Sequence, residues 1–223
     1  MKSGFLPLLF CTLFATAHAQ FVLVETGGTF RSDATNLAAA SNGGIAIGQD
    51  ELGYGIHFIS TINDGVYGND SSWIGLADYT TSWVGVILPT PSTIASFAFG
   101  RDNTGVQITR AFGPAWIPHV IQYTTDAVTD QASANSATWL TTGSMNYAVD
   151  PPPSPELRHL YNLTSPLTGV TAFRIVTSSG IDWGTAIDEI ELYSTSAIPE
   201  PSTYAVLAGL AALGLAAWRR RRA

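Results

Sequence analysis

Ile187-Asp188-Glu189-Ile190-Glu191-Leu192-Tyr193 decides the fold class. Its residues alternate with period two, the repeat of an extended strand whose side chains point to opposite faces. Ile187, Glu189, Glu191 and Tyr193 fall on one face, and Ile190 and Leu192 fall on the other with Asp188. Similar short runs of β-branched and aromatic residues recur toward the N-terminus: Phe21–Glu25, Trp83–Leu88, Thr93–Gly100, His119–Thr124, Thr138–Thr142, Leu157–Leu163 and Ala172–Thr177. Gly, Pro, Asn and Asp separate them, and no heptad or long 3.6-residue period interrupts the series. Short strands between turn clusters predict an all-β sandwich or jelly roll over residues 20–197. Asp150-Pro-Pro-Pro-Ser-Pro155 reads as a stiff surface loop rather than a domain linker, because strand signals resume directly after it.

The chain has 223 residues, 46% of them hydrophobic and 12% charged, with one cysteine and a formal charge of −7. It is long enough to bury a core and too apolar to be mainly disordered. A single cysteine excludes a disulfide framework and a cysteine-cluster zinc site. Charge is unevenly placed. Residues 20–197 hold five arginines against sixteen acids and no lysine, a formal charge of −11. Phosphate binding needs clustered Lys or Arg, so nucleic acid is not an expected partner.

The two ends carry the remaining positive charge. Residues 1–19 place Lys2 before an apolar run and close on Ala17-His18-Ala19, the plan of a secretory signal peptide with small residues at −3 and −1. Cleavage by signal peptidase after Ala19 would remove Cys11 and leave a cysteine-free protein starting at Gln20. At the other end, Thr203–Trp218 is an uncharged stretch predicted to form a transmembrane helix of ~24 Å, ahead of Arg219, Arg220, Arg221 and Arg222. Adjacent arginines favour the cytoplasmic side, which puts the acidic domain outside. Pro199-Glu200-Pro201, the apolar stretch and the Arg block together resemble the PEP-CTERM sorting signal over residues 198–223. That resemblance implies a Gram-negative bacterium, anchoring in the inner membrane, and processing near Pro199-Glu200-Pro201 by a membrane-embedded exosortase. The destination is then the cell surface or extracellular matrix.

The order of motifs in the central domain resembles a second family. Asn36-Leu-Ala-Ala-Ala-Ser41, Ile62-Asn-Asp-Gly65 and Ser72-Trp73 come first. Trp83-Val-Gly-Val-Ile-Leu88, Thr93-Ile-Ala-Ser-Phe-Ala-Phe99 and Val120-Ile-Gln-Tyr-Thr-Thr-Asp126 follow. Thr138-Trp-Leu140, Gly169-Val-Thr-Ala-Phe-Arg-Ile175 and Ala186–Tyr193 complete the series. This is similar to the discoidin, or coagulation-factor C-type, domain of the galactose-binding-like jelly rolls. The resemblance implies a binding fold that attaches secreted proteins to glycans, lipid head groups or proteins through loops at one end. It also implies a structural Ca²⁺ on Asp64, of the Asp-Gly turn, and Glu189, of the last strand. Oxygen-bearing side chains are plentiful there, as hard cations require, but the spacing is not an EF-hand. The alternative is that Asp64 builds an Asx turn and Glu189 is a solvated strand residue.

Sugar sites pair an aromatic plane with polar groups that bond hydroxyls. Trp73, Trp83 and Trp139 fall at strand ends and read as core. Trp116 and Trp183 fall in turn-rich segments near Arg101, His119 and Asp182, and these tryptophans with Arg101 and His119 are the candidate ligand residues. The alternative is that both indoles only cap the sandwich. No G-x-S-x-G elbow, H-E-x-x-H pair or cysteine nucleophile marks a catalytic centre, and His57 and His159 read as structural. The expected function is noncatalytic binding to envelope or exopolymer polysaccharide. A purely structural or adhesive surface protein is the alternative, and a secreted hydrolase comes third.

Overall fold

In the computed structural model, the described residues are 20–27, 30–49, 55–67, 72–75, 81–100, 119–145, 158–178 and 186–197. Among the described residues, nine strands form the frame: β1 (Phe21–Thr26), β2 (Ile45–Gly48), β3 (Trp73–Ile74), β4 (Thr81–Gly100), β5 (His119–Thr124), β6 (Leu140–Met145), β7 (Arg158–Ser178), β8 (Ala186–Ile187) and β9 (Ile190–Tyr193). One short helix, α1 (Gln131–Ser136), lies between β5 and β6.

Two long strands organise the rest. β4 and β7 pair antiparallel from Thr81↔Ser178 to Gly100↔Arg158. Their ladder is irregular between Ile87 and Ser96, where Pro89 and Pro91 supply no N–H. At that point the ribbon passes from one layer to the other. The halves nearer Thr81 and Ser178 join β2, β5 and β6 in the order β2-β4-β7-β5-β6. The other halves join β9, through Ser96–Phe99, and β1, through Arg158–Leu163. The predicted all-β sandwich is therefore present, but Trp83–Leu88 with Thr93–Gly100 is one strand, and the predicted runs Leu157–Leu163 and Ala172–Thr177 are joined in another from Arg158 onward; Leu157 lies outside the described residues. β3 and β8 make a separate two-stranded ladder. The last predicted strand is broken at Asp188 and Glu189, because Gly100 takes a different bond there: Asp188 N donates to Gly100 O, and Gly100 N donates to Glu189 O.

Period-two alternation fills the space between the layers. Val84, Val86, Phe173, Ile175 and Ile121 face inward from the first layer, and Phe97, Phe99, Tyr161, Leu163, Ile190 and Leu192 from the second. The rings of Phe97 and Phe173 meet across the interface at 5.5 Å, and Phe97 stacks on Tyr161 at 5.1 Å. A smaller cluster of Ile47, Trp83, Ile87, Val128, Ala134 and Ala172 lies on the outer side of the first layer under α1. Helix α1 starts with a capping box, in which Asp130 accepts from Ser133 N at 2.8 Å and Ser133 Oγ accepts from Asp130 N at 3.0 Å. Gly85 is required where β4 meets β7, since a Cβ there would lie 2.2 Å from the Phe173 carbonyl oxygen.

The crossover brings both ends of β4 to one end of the sandwich. Phe99, near one end of β4, stacks at 6.2 Å on His119, which starts β5 in the opposite layer. Gly100, His119, Met145, Arg158 and Ser178 thus sit together, and the chain leaves and re-enters the frame there. Among the described residues, no helix is long and apolar enough to cross a membrane; Thr203–Trp218 lies outside them.

Candidate functional site at the loop end

The Asp64–Gly65 turn closes a 3-10 helix, Ile59–Asn63, at this end. Asn63, buried at its foot, donates to Ala38 O at 2.8 Å and Gly44 O at 3.2 Å, anchoring the turn to the loop before β2. Gly65 adopts φ +87°, a left-handed conformation that a side chain would strain. Asp64 Oδ1 accepts from Val66 N at 2.9 Å, so Asp64 does build an Asx turn. Gly65 N donates to Glu189 Oε2 at 3.2 Å, which brings together the two residues expected to share a cation.

Glu189 is not the solvated residue of the alternative reading: it is 0% exposed. Among the described residues its Oε1 has no hydrogen-bond partner, an expensive state for a buried oxygen. Burial pushes its carboxyl up to about 9; the Gly65 N–H opposes this, while the charges of Asp64, Glu191 and Asp188 add to it. A buried carboxylate oxygen lacking a donor is the kind of oxygen that a hard cation takes as a ligand. Among the described residues, no group of three or more His, Cys, Asp or Glu side chains converges on one point. Further oxygens would therefore have to come from backbone carbonyls, amides or water.

Glu191, two residues on, has the opposite environment. Arg158 Nε donates to its Oε1 at 2.6 Å and Arg158 NH2 to its Oε2 at 3.0 Å. Tyr67 donates to Oε1 at 2.7 Å, and the Tyr193 hydroxyl donates to Oε2. Arg158 also bridges to Glu25 on β1 at 3.1 Å. Burial of the Tyr67 hydroxyl and the neighbouring Glu191 charge hold its ionisation well above the ordinary tyrosine range. Burial alone would lower the Arg158 pKa, yet the Glu191 contacts leave it raised. Every strong partner is satisfied, so this network binds strands together rather than addressing a ligand. No sequence motif marks the network, although Arg158 stands near the head of a strand and Glu191 between two core residues.

Of the expected ligand residues, Arg101, Trp116 and Trp183 lie outside the described residues, as do Ala17, Ala19, Pro199, Glu200, Pro201 and Arg219–Arg222. His119 is described, but it is 1% exposed and stacked on Phe99, turned into the core rather than toward a ligand. The reason is alternation: His119 shares the inward face of β5 with Ile121. Trp73 and Trp83 are buried as read, whereas Trp139 is half-buried on the outer side of the first layer.

Residues 197–222 match the PEP-CTERM protein-sorting motif. No curated protein matches the chain. Among solved structures, the fold is similar to that of chitosan-binding module 1 from the chitosanase/glucanase of Paenibacillus sp. IK-5. The TM-score is 0.52 with 18% identity, covering 71% of this chain and 98% of that one. Chitosan-binding module 2 of the same enzyme, in complex with chitotriose, gives a TM-score of 0.52 with 14% identity over 71% of this chain and 99% of that one. The family 32 carbohydrate-binding module of C. perfringens NanJ, in complex with galactose, gives 0.51 with 17% identity over 71% and 98%. At these identities the likeness establishes the discoidin-like jelly-roll sandwich.

Proposed function

We propose that this is an exported, exosortase-sorted surface protein whose sandwich binds polysaccharide without catalysis. The sorting motif at residues 197–222 supports the address, and a fold shared over 71% of this chain with chitosan- and galactose-binding modules supports the activity. Signal peptidase would act after Ala19, the helix 203–218 would hold the protein in the inner membrane with its domain outside, and exosortase would process it near Pro199-Glu200-Pro201. The glycan would sit at the loop end, against Trp116 and Trp183 with Arg101. An indole face covers the C–H side of a sugar, and a guanidinium bonds its hydroxyls.

Ca²⁺ would be held by Asp64 and Glu189. Its contribution is structural: it would supply the positive charge that the unpartnered Glu189 oxygen lacks, tying the Asp64–Gly65 turn to the last strand. A glycan array on the processed protein, Gln20–Ala197, tests the binding. Retention of specific neutral glycans, lost in Trp116→Ala and Trp183→Ala, is expected. An array with no bound glycan, or full binding by both variants, overturns the loop-end site.

A further inference from the structure

The outer side of the first layer carries a separate group of polar and aromatic residues, away from the Asp64–Glu189 turn. Register sets four positions in a row across four strands: Gly85 pairs with Arg174, Arg174 with Gln122, and Gln122 with Thr141. Arg174 Nε donates to Gln122 Oε1 at 2.8 Å, and Gln122 Nε2 donates to Thr141 Oγ1 at 3.1 Å. This chain of bonds fixes the guanidinium plane from one side. The guanidinium carbon lies 4.1 Å from the centre of the Trp139 ring and 5.0 Å from that of Trp83. Trp139 is itself held by donation from its Nε1 to Ala134 O at 3.0 Å, at the end of α1. The absent side chain at Gly85 leaves Arg174 room on its other flank.

The other described arginines have acids: Arg31 pairs with Asp33 at 2.7 Å, and Arg158 pairs with Glu191 and Glu25. Arg174 has none among the described residues. Burial draws it down to about 10, which still leaves it cationic at neutral pH. Its Nε is occupied, while among the described residues its two terminal nitrogens have no hydrogen-bond partner, and the side chain is only half-buried. A guanidinium fork oriented by neutral partners and left without an acid fits a planar anion from outside, because paired N–H groups match both oxygens of a carboxylate.

We propose that Arg174, oriented by Gln122 over Trp139, binds the carboxylate of an acidic sugar, a uronate residue of a polysaccharide, on the outer face of the sheet. A sugar suits the surroundings better than a bare anion. The Gln122 amide and Thr141 hydroxyl can bond ring hydroxyls, and the half-buried edge of Trp139 offers apolar surface to C–H groups. The acidic domain repels polyanions at long range, so this is a contact with one carboxylate and not a track along a charged polymer. The site shares with the preceding proposal only the premise that the domain binds glycans.

The test titrates the full chain, purified in detergent, with an oligosaccharide bearing one glucuronate residue and with its methyl ester, which keeps the hydroxyls and loses the charge. The acid is expected to bind and to change tryptophan emission, with the ester weaker by about tenfold or more. Arg174→Gln is expected to weaken the acid to the level of the ester. Equal binding of acid and ester, an unchanged affinity in Arg174→Gln, or no binding at millimolar acid overturns the proposal. If Arg174→Gln does not fold, Gln122→Ala keeps the charge and removes its orienting bond. A several-fold loss of acid affinity then supports the site, and no loss overturns it. Trp116→Ala/Trp183→Ala is expected to leave acid binding intact, so failure of the loop-end reading shows separately.

Discussion

Arg158 holds Glu191 with two parallel hydrogen bonds, 2.6 and 3.0 Å, where the two side chains are 1% and 0% exposed. The pair joins β7 to β9 on the outer side of the second layer, and Tyr67 and Tyr193 complete the carboxylate's partners. Removing Arg158 leaves the Glu191 charge buried without a cation, and removing the Glu191 charge leaves Arg158 only Glu25, at 3.1 Å. Arg158→Met or Glu191→Gln is therefore expected to cost about 3–5 kcal/mol in urea unfolding. Arg158→Met with Glu191→Leu is expected to recover only part of that, since two tyrosine hydroxyls then lose their acceptor. Single variants as stable as the wild type would show that the pair does not hold the strands.

The same pairing of β4 with β7 makes Gly85 sensitive. An added methyl would meet the Phe173 carbonyl oxygen at 2.2 Å and Arg174 Cβ at 2.7 Å, contacts that backbone on both sides prevents from relaxing. Gly85→Ala is expected to give insoluble protein or a clearly lowered urea midpoint. Gly143→Ala, whose nearest obstacle is the Phe21 ring edge at 2.9 Å, is expected to be milder. Equal tolerance at the two positions would contradict this packing.

Asp130 supplies a pH-dependent increment. Hydrogen bonds from the Ser133 backbone N–H and hydroxyl hold its carboxyl below the ordinary aspartate range. A depressed folded pKa means stability that is present above the unfolded pKa, about 3.9, and lost as pH falls through the folded one. Asp130→Asn keeps a neutral acceptor and removes the titration. Wild type is therefore expected to melt higher than Asp130→Asn at pH 6, with the difference closing below about pH 4. A gap that persists into acid would mean the carboxylate is not what caps α1.

Much of the fold is legible because inward residues alternate along each strand, and the run His119–Thr124 coincides with β5. What the alternation could not show was continuity. Trp83–Leu88 and Thr93–Gly100 read as two strands, yet the ladder only skips between them, and β4 bends from one layer into the other. Helix α1 escaped notice because a six-residue helix burying only Ala134 has no 3.6-residue period to display. His119 is an expected ligand residue through its nearness to Trp116 in sequence, although its parity with Ile121 points it inward. Arg174 lay in a run read as strand, between Phe173 and Ile175. Its outward direction is implied, but that no acid among the described residues pairs with it needed three dimensions.

Glu189 gives the last prediction. A carboxyl that is fully buried, with one oxygen lacking a donor and its pKa near 9, is protonated at neutral pH when no cation is present. A divalent cation shared with Asp64 would replace that proton and bind only the folded chain, which raises stability by mass action. Millimolar Ca²⁺ is therefore expected to raise the melting temperature over that in EDTA. Glu189→Gln removes the charge but not the shape. It is expected to melt close to wild type in EDTA and to show no Ca²⁺ shift, while Asp64→Asn shows a reduced one. A wild-type melting temperature indifferent to Ca²⁺ would leave Glu189 as a neutral acid holding Gly65, with no cation at the turn.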